Sequence, residues 1–479
     1  MVSLDRSLSC RGYGIVKSNN EALIAELRSK LYVKIVNIMN MGTNEKKKTG
    51  FNVYFESSKK IYIPKHFGLQ SFGCPDIVNI PEGENMQEDV IFTGELRDNQ
   101  MKPVHKYLEY AHDPMHMGGI LQLPPGWGKT VMALNIACTL RKKTMVIVHK
   151  EFLLKQWKER IEQYIPNARV GIIKQSKMIT QNCDIVLASL QTLCLRDFQD
   201  DSFGLVIIDE CHHMGAQVFS QALHKLNVKY TLGLSATVNR SDGLTKVFKW
   251  FIGDVVFTAK RDSEEQKCLK VNMVSYINSN PSYCFEHTLY NGKPNMARML
   301  NNICSYQPRT YIITQEIINI LERDNERNLL ILSDRRGHLK DIFDTLCENG
   351  ISVDIMGYYV GGMKNEDLLK SEQKRIILGT YNMVSEGFDL PKLDTLIMAS
   401  PKSNVEQSIG RIQRKLMKDR QYTPLVIDIV DKFSIFKNQS KKRLLFYTKS
   451  GFDIGGDEID SLDTSSKDSF KLNGKSLFV

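Results

Sequence analysis

The eight residues LPPGWGKT at positions 123–130 constrain the fold of this chain more than any other stretch. They nearly match a phosphate-binding loop, which reads Gly, four residues, then Gly-Lys-Ser/Thr, and which works only where a strand runs into a helix. The apolar run ILQL precedes them, and TVMALNIACTL follows with apolar positions at helical spacing, so that context is present. Gly126 and Gly128 let the backbone curl until its amides face a row of phosphates, and the helix N-terminus adds its dipole. Pro125 and Trp127 complete the cradle, Lys129 brings charge to the phosphates, and the Thr130 hydroxyl is placed to ligate Mg2+. Leu123 stands where the first glycine belongs. It falls at the end of the strand, ahead of the cradle, so no phosphate ligand is lost with that glycine.

The same rhythm runs along most of the chain. From about residue 91 the runs ILQL, TMVIVH, DIVLASL, GLVIID and YTLGLS alternate with helical segments such as LLKQWKERIEQYI, the pattern of a parallel sheet with crossover helices. Residues 258–320 interrupt it with a polar stretch that ends in the helix-like YIITQEIINILE. The runs LLILSD, SVDIMGYY, RIILGT, TLIMAS and PLVIDIV then restore it. This predicts two tandem α/β domains, 91–257 and 321–450, joined by a connector at 258–320. Residues 1–90 carry the alternating stretches LYVKIVNI and FNVYFES around Lys46, Lys47 and Lys48, and are expected to form a small β-containing N-terminal module. Residues 451–479, with six acids and three lysines, are expected to be a flexible acidic tail.

A second piece of chemistry is VIIDECHH at 206–213, where an apolar strand ends in two adjacent carboxylates. Asp209 would hold the hydration shell of Mg2+, and Glu210 would orient and deprotonate an attacking water. An isolated acidic turn carries little weight; one that follows a phosphate loop in the same alternating pattern points to hydrolysis. Cys211 beside His212 suggests a nucleophile pair, but side chains so close in sequence seldom face each other. In QSIGRIQR, 407–414, Arg411 and Arg414 stand one helical turn apart and so point the same way. Aimed at a nucleotide they would stabilise transition-state charge, a role worth on the order of 10³ to 10⁵ in rate. The alternative is a solvated basic face continued by Lys415 and Lys418.

The net charge of +10 suits a polyanionic partner. Ten cysteines without a CxxC pair argue against a zinc ribbon, and no apolar run reaches the length of a membrane span.

In order along the chain, Gln100 in LRDNQ, then LPPGWGKT, LLKQW, ASLQT, DECH, SAT at 235–237, LILSD, GTYNMVSEGFD and QSIGRIQR resemble the motif series of the superfamily 2 helicases. The resemblance covers roughly residues 95–450. It implies two RecA-like parallel-sheet domains that clamp one ATP with Mg2+ and couple their closure to movement along a nucleic-acid strand. It further implies adenine contacts from Arg97 and Gln100, and catalytic roles for Lys129, Glu210, Gln407, Arg411 and Arg414. Glu386, Gly387 and Asp389 match the motif before the last, with Gly387 and Asp389 as nucleotide contacts. His212, Ser235 and Thr237 fall where the family couples hydrolysis to its grip on the strand. Lys150, Gln156, Gln191, Thr192 and Thr380 match backbone-binding positions, in loops at the carboxyl ends of strands. Trp157, at helical spacing with Phe152, Leu153 and Ile161, is expected in the core. Phosphate loops of this superfamily often read L-P-x-G-x-G-K-T, which the present one does, with Pro125 in place of the frequent Thr or Cys.

PTRELA and HRxGR, which mark the DEAD-box RNA helicases, do not occur. The stretch SATVNRSDGLTKVFKWFIG, with Arg240 and Asp242, is similar to the DNA-translocating branch of repair and transcription helicases, although Ser241 stands where repair members commonly show Glu. Over its whole length, including DECHHMGAQVFSQAL, the chain resembles the poxvirus transcript termination and release helicases. That resemblance implies a DNA-dependent ATPase with 3′-to-5′ helicase activity acting in postreplicative viral transcription. The implied partners are DNA, the viral RNA polymerase and elongation factors, and the implied location is the virion core and host cytoplasm. Two alternatives stay open: RNA as the tracked strand, because backbone tracking reads phosphate and sugar, and a nucleotide-gated scaffold with little unwinding. Glu210, Arg411 and Arg414 weigh against the scaffold.

Overall fold

The computed structural model describes residues 5–34, 50–196, 198, 200–211, 215–226, 228–236, 244–259, 268–385, 388, 390–415, 417–456 and 477–478. They divide into two compact units, Met1–Lys260 and Arg261–Val479.

The first unit is built on an eight-stranded sheet, ordered Lys177–Ile179, Val170–Lys174, Ile185–Ser189, Thr144–Val148, Leu205–Ile208, Tyr230–Ser235, Gly118–Gln122, Val255–Thr258. Every pairing in it is parallel except the hairpin at the Lys177–Ile179 edge. Successive side chains of a strand point to opposite faces, and here both faces are covered. Met145, Ile147, Val206 and Ile208 join one core cluster, while Val146, Val148, Leu205 and Ile207 join the other. That is why the central strands read as unbroken apolar runs. The helices Lys129–Leu140 and Glu151–Tyr164 follow the expected segments, and a further helix, Asp98–His112, precedes the strand that leads into the phosphate loop.

The N-terminal residues add a five-stranded sheet, Phe55–Glu56, Lys60–Ile63, Gly12–Val16, Arg6–Ser9, Ile77–Asn79, and the pair Tyr32–Lys34 with Gly50–Asn52. The helix Lys65–Phe72 ties this module to the larger sheet. Lys65 and His66 are buried; Lys65 Nζ donates to the carbonyls of Val228 (3.1 Å) and Lys229 (2.9 Å), and His66 Nε2 meets Thr231 Oγ1 at 2.9 Å. Phe67 packs edge-on against Trp250, and Gln70 donates to Asp254 at 2.6 Å. On its other side the helix lies so close to the module that a Cβ on Gly68 would come within 2.2 Å of the Tyr13 ring.

Burial pulls the Lys65 ammonium down to about 7. In the unfolded chain a lysine titrates near 10.4, so between these values the unfolded state holds a proton that the folded state has released. Stability contributed by neutral Lys65 is therefore present above the unfolded value and lost as pH falls toward 7. Urea unfolding of wild type and Lys65→Met at pH 7 and pH 10 should show the difference moving in favour of wild type at the higher pH, on the order of a few kcal/mol. A difference independent of pH would place the ammonium in water.

The second unit holds a parallel sheet ordered Met356–Tyr359, Ile376–Thr380, Leu329–Ser333, Thr395–Met398, Leu425–Asp431, Lys270–Ile277, Asp453–Gly456, with Leu477–Phe478 also against Lys270–Ile277. Its strands again feed two clusters, Leu330, Leu332 and Leu396 on one face and Leu329, Ile331 and Ile397 on the other.

Two boundaries differ from expectation. The stretch 258–320 contains Lys270–Ile277, a strand paired in register with Leu425–Asp431. The stretch 451–479 begins with Asp453–Gly456, which also joins the sheet. Lys270–Ile277 alternates buried with less buried positions, so it lacks the continuous apolar run that marks the central strands. Residues 457–476 and 479 lie outside the described residues, as do Lys46, Lys47 and Lys48. No helix among the described residues is long and apolar enough to cross a membrane.

Candidate functional site

Three neighbouring strands of the first sheet, Leu205–Ile208, Tyr230–Ser235 and Gly118–Gln122, run parallel. Their carboxyl ends therefore deliver Asp209 with Glu210, Ser235, and the 123–130 loop to one edge, where sheet-and-helix folds place ligands. Leu123 is fully buried, and its N–H donates to the Ser235 carbonyl at 2.8 Å. The missing first glycine is thus a core position at the end of the strand.

The loop turns on two left-handed residues, Gly126 (φ 86°) and Gly128 (φ 76°), and Gly128 caps the helix Lys129–Leu140. A Cβ on Gly128 would lie 2.4 Å from Gln100 Nε2. Gln100 is almost wholly buried. Its Nε2 donates to the Trp127 carbonyl at 2.7 Å, and its Oε1 accepts from the Arg97 N–H at 2.9 Å, the reach-back of a capping box. In this geometry Gln100 braces the loop from behind, while Arg97 is exposed. Sequence reasoning placed Gln100 at the adenine and missed its bond to the loop backbone, because that bond depends on how the helix Asp98–His112 packs.

Across the cradle, Lys129 Nζ donates to Glu210 Oε1 at 2.9 Å, with 12% and 20% of the two side chains exposed. Glu210 has φ 47°, a left-handed conformation uncommon for a residue with a Cβ and a recurrent feature of functional sites. Asp209 is buried, and its Oδ2 accepts a hydrogen bond from Trp157 Nε1 at 2.8 Å. Burial first, and then the neighbouring Glu210, push the Asp209 carboxyl up to about 6; Trp157, Lys129 and His149 act the other way. Trp157 is buried, as its helical spacing predicts, but its donation to Asp209 could not be read from spacing.

These residues fit ATP and Mg2+. The two left-handed glycines and Lys129 suit a row of phosphates, and two carboxylates facing one lysine leave a deficit of positive charge that a divalent cation would offset. Thr130, half-buried in the first turn of the loop helix, and Asp209 would hold the cation. Burial first, and then the neighbouring Glu210 and Asp209, push the Cys211 thiol up to about 12, which disfavours the thiolate a nucleophile needs. His212, Thr237, Glu386, Gly387 and Asp389 lie outside the described residues.

Of the expected strand contacts in the first unit, Lys150 immediately precedes the helix Glu151–Tyr164, Gln156 is half-buried on it, and Gln191 is exposed at the start of Leu190–Leu195. Thr192 is different. It is buried, and its hydroxyl accepts from the Gln175 N–H at 3.0 Å, which ties it to a neighbouring turn.

In the second unit, Thr380 ends the strand Ile376–Thr380. Gln407 lies in the short helix Glu406–Ile409, which tightens into a 3-10 turn at Gly410–Gln413. Arg411 and Arg414 do not share one environment: Arg411 is 7% exposed and Nη1 donates to the Phe388 carbonyl at 2.6 Å, whereas Arg414 is half-buried. A solvated basic face does not describe Arg411.

Comparison with known proteins agrees with this geometry. The family model described as "Type III restriction enzyme, res subunit" matches residues 93–240. A protein of Acanthamoeba polyphaga mimivirus, provisionally named an ATP-dependent RNA helicase, is 35% identical over 452 residues, covering 92% of this chain and 85% of that one. A provisionally named helicase of Invertebrate iridescent virus 6 is 30% identical over 386 residues, 75% of this chain and 82% of its own. Among solved structures, a Saccharomyces cerevisiae Dbp5 variant bound to RNA and ADP BeF3 aligns with a TM-score of 0.51 at 13% identity, over 74% of this chain and 89% of that one. That likeness supports the tandem RecA-like fold.

Proposed function

Since this chain belongs to the superfamily 2 helicases, an ATP-dependent family, we propose that it is a DNA-stimulated ATPase that translocates 3′-to-5′ on DNA and releases transcripts in viral postreplicative transcription. The observation that carries the hydrolytic part is the Lys129–Glu210–Asp209–Trp157 constellation at the carboxyl ends of adjacent strands. Bound ATP and Mg2+ would supply the reacting phosphoanhydride and its charge neutralisation. The amides of the 126–128 turn and Lys129 would bind the phosphates, while Asp209 and Thr130 would position the cation. Glu210 would accept the proton of the attacking water once Lys129 turned from it to the phosphates. Gln407, Arg411 and Arg414 would have further catalytic roles, as the family motif implies.

The choice of DNA rests on the similarity of SATVNRSDG to the DNA-translocating branch, with the net charge of +10 suiting either nucleic acid. The mimivirus relative carries an RNA helicase name, which favours RNA as the second reading. Steady-state ATP hydrolysis measured without nucleic acid, and with single-stranded DNA, duplex DNA and RNA, separates the two. Stimulation by DNA well above RNA is expected; equal or greater stimulation by RNA would move the assignment to the RNA reading. The transcriptional role is tested by ATP-dependent release of RNA from a stalled viral polymerase, with viral RNA polymerase and elongation factors as the proposed partners and the virion core and host cytoplasm as the proposed location.

A further inference from the structure

We propose that Trp157 is a positioning residue for the divalent cation, acting through the Asp209 carboxylate; this rests on the reading of Asp209 as a metal-holding group. The indole is 2% exposed, and its N–H donates to Asp209 Oδ2 at 2.8 Å, with Asp209 itself 8% exposed. If Trp157 only filled the core, any acceptor would serve its N–H. The acceptor it has is the one carboxylate of the constellation that lies deepest, on a residue whose backbone is fixed by an N–H bond to the Ile147 carbonyl at 3.1 Å. With the main chain held on one side and Oδ2 held on the other, the plane of the carboxylate is set before a cation arrives. Outer partners that orient metal-binding carboxylates typically contribute 10- to 100-fold to metal affinity.

The groups around Asp209 show why such a brace is useful. Glu210 repels it, and Lys129 is engaged by Glu210, so neither orients Asp209 by direct bonding. The donor that does so sits on the helix Glu151–Tyr164, next in sequence to Gln156 and seven residues after Lys150. Two proposed strand contacts and the brace of the metal carboxylate thus share one rigid element.

The test uses the full chain with ADP, titrating Mg2+ by calorimetry into wild type, Trp157→Phe and Asp209→Asn. Phenylalanine keeps most of the packing and removes the N–H. The expected result is a 10- to 100-fold weaker Mg2+ affinity in Trp157→Phe, with ADP affinity in the absence of Mg2+ unchanged. Unaltered Mg2+ affinity in Trp157→Phe, alongside loss in Asp209→Asn, would overturn the positioning role and leave the metal reading standing. Unaltered affinity in Asp209→Asn would instead overturn the metal reading, and this inference with it. Should Trp157→Phe fold poorly, the indole 15N–1H signals of the three tryptophans serve in its place. Asp209→Asn should shift the Trp157 signal and leave Trp127 and Trp250 in place; a stationary Trp157 signal would overturn the proposal.

Discussion

Glu210→Gln should lower ATP hydrolysis by about 10² to 10⁴ while leaving ATP binding intact or tighter, the usual worth of a positioned proton acceptor. The amide keeps the size of the side chain and can still hydrogen-bond, but it cannot take a proton from water. It also removes the carboxylate that engages Lys129 at 2.9 Å, so the lysine meets the phosphates without a competing anion. The two consequences separate in one experiment, single-turnover hydrolysis beside equilibrium ATP binding. An unchanged rate would remove Glu210 from the catalytic role, and a pure loss of affinity would make it a structural partner of the loop.

Asp431→Ala should destabilise the second unit by about 3–5 kcal/mol, the cost of leaving a buried cation without its partner. Arg309 and Asp431 are both fully buried; Nε and Nη2 reach the two carboxylate oxygens at 2.7 and 2.9 Å, and Nη1 donates to the Ala399 carbonyl at 2.7 Å. The Tyr283 hydroxyl donates to the same carboxylate at 2.8 Å, joining the segment after Lys270–Ile277 to the end of Leu425–Asp431. The double variant Arg309→Met, Asp431→Leu should recover most of the loss, because it removes the stranded charge as well as the pair. Denaturant unfolding of the single and double variants decides it; equal losses would show that the network is worth more than its charges.

What could be read from the sequence follows from how each element is buried. Each of the ten apolar runs contains a strand, most of them central strands that are apolar because both faces are covered; in SVDIMGYY only Met356–Tyr359, a half-buried edge strand, is extended. Lys270–Ile277 escaped because Asn272 and Ser275 interrupt it, and because its neighbours come from residues 425–431 and 453–456. At the site, the sequence assigned Lys129 to the phosphates and Glu210 to water, and the bond between the two side chains was not read from it. Nor were the bonds of Gln100 to the Trp127 carbonyl and of Trp157 to Asp209, because each joins segments whose approach is fixed only by packing, the second across 52 positions. The burial of Arg411 was hidden for the same reason: its acceptor is a carbonyl in a different loop.

The helix Lys65–Phe72, which inserts Lys65, His66 and Phe67 against residues 228–254, bears on how this chain could have been assembled in evolution. A module joined by a loose tether can be exchanged between proteins without harm to the motor behind it. Here the carbonyls of Val228 and Lys229 would lose the Lys65 donor on excision, the Thr231 hydroxyl would keep only its bond to the Ile252 carbonyl, and the apolar ground around Trp250 would be laid bare. The helix Lys65–Phe72 is therefore a seam held by buried polar bonds as well as by apolar contact, and an exchange that spared the module's own core would still break it.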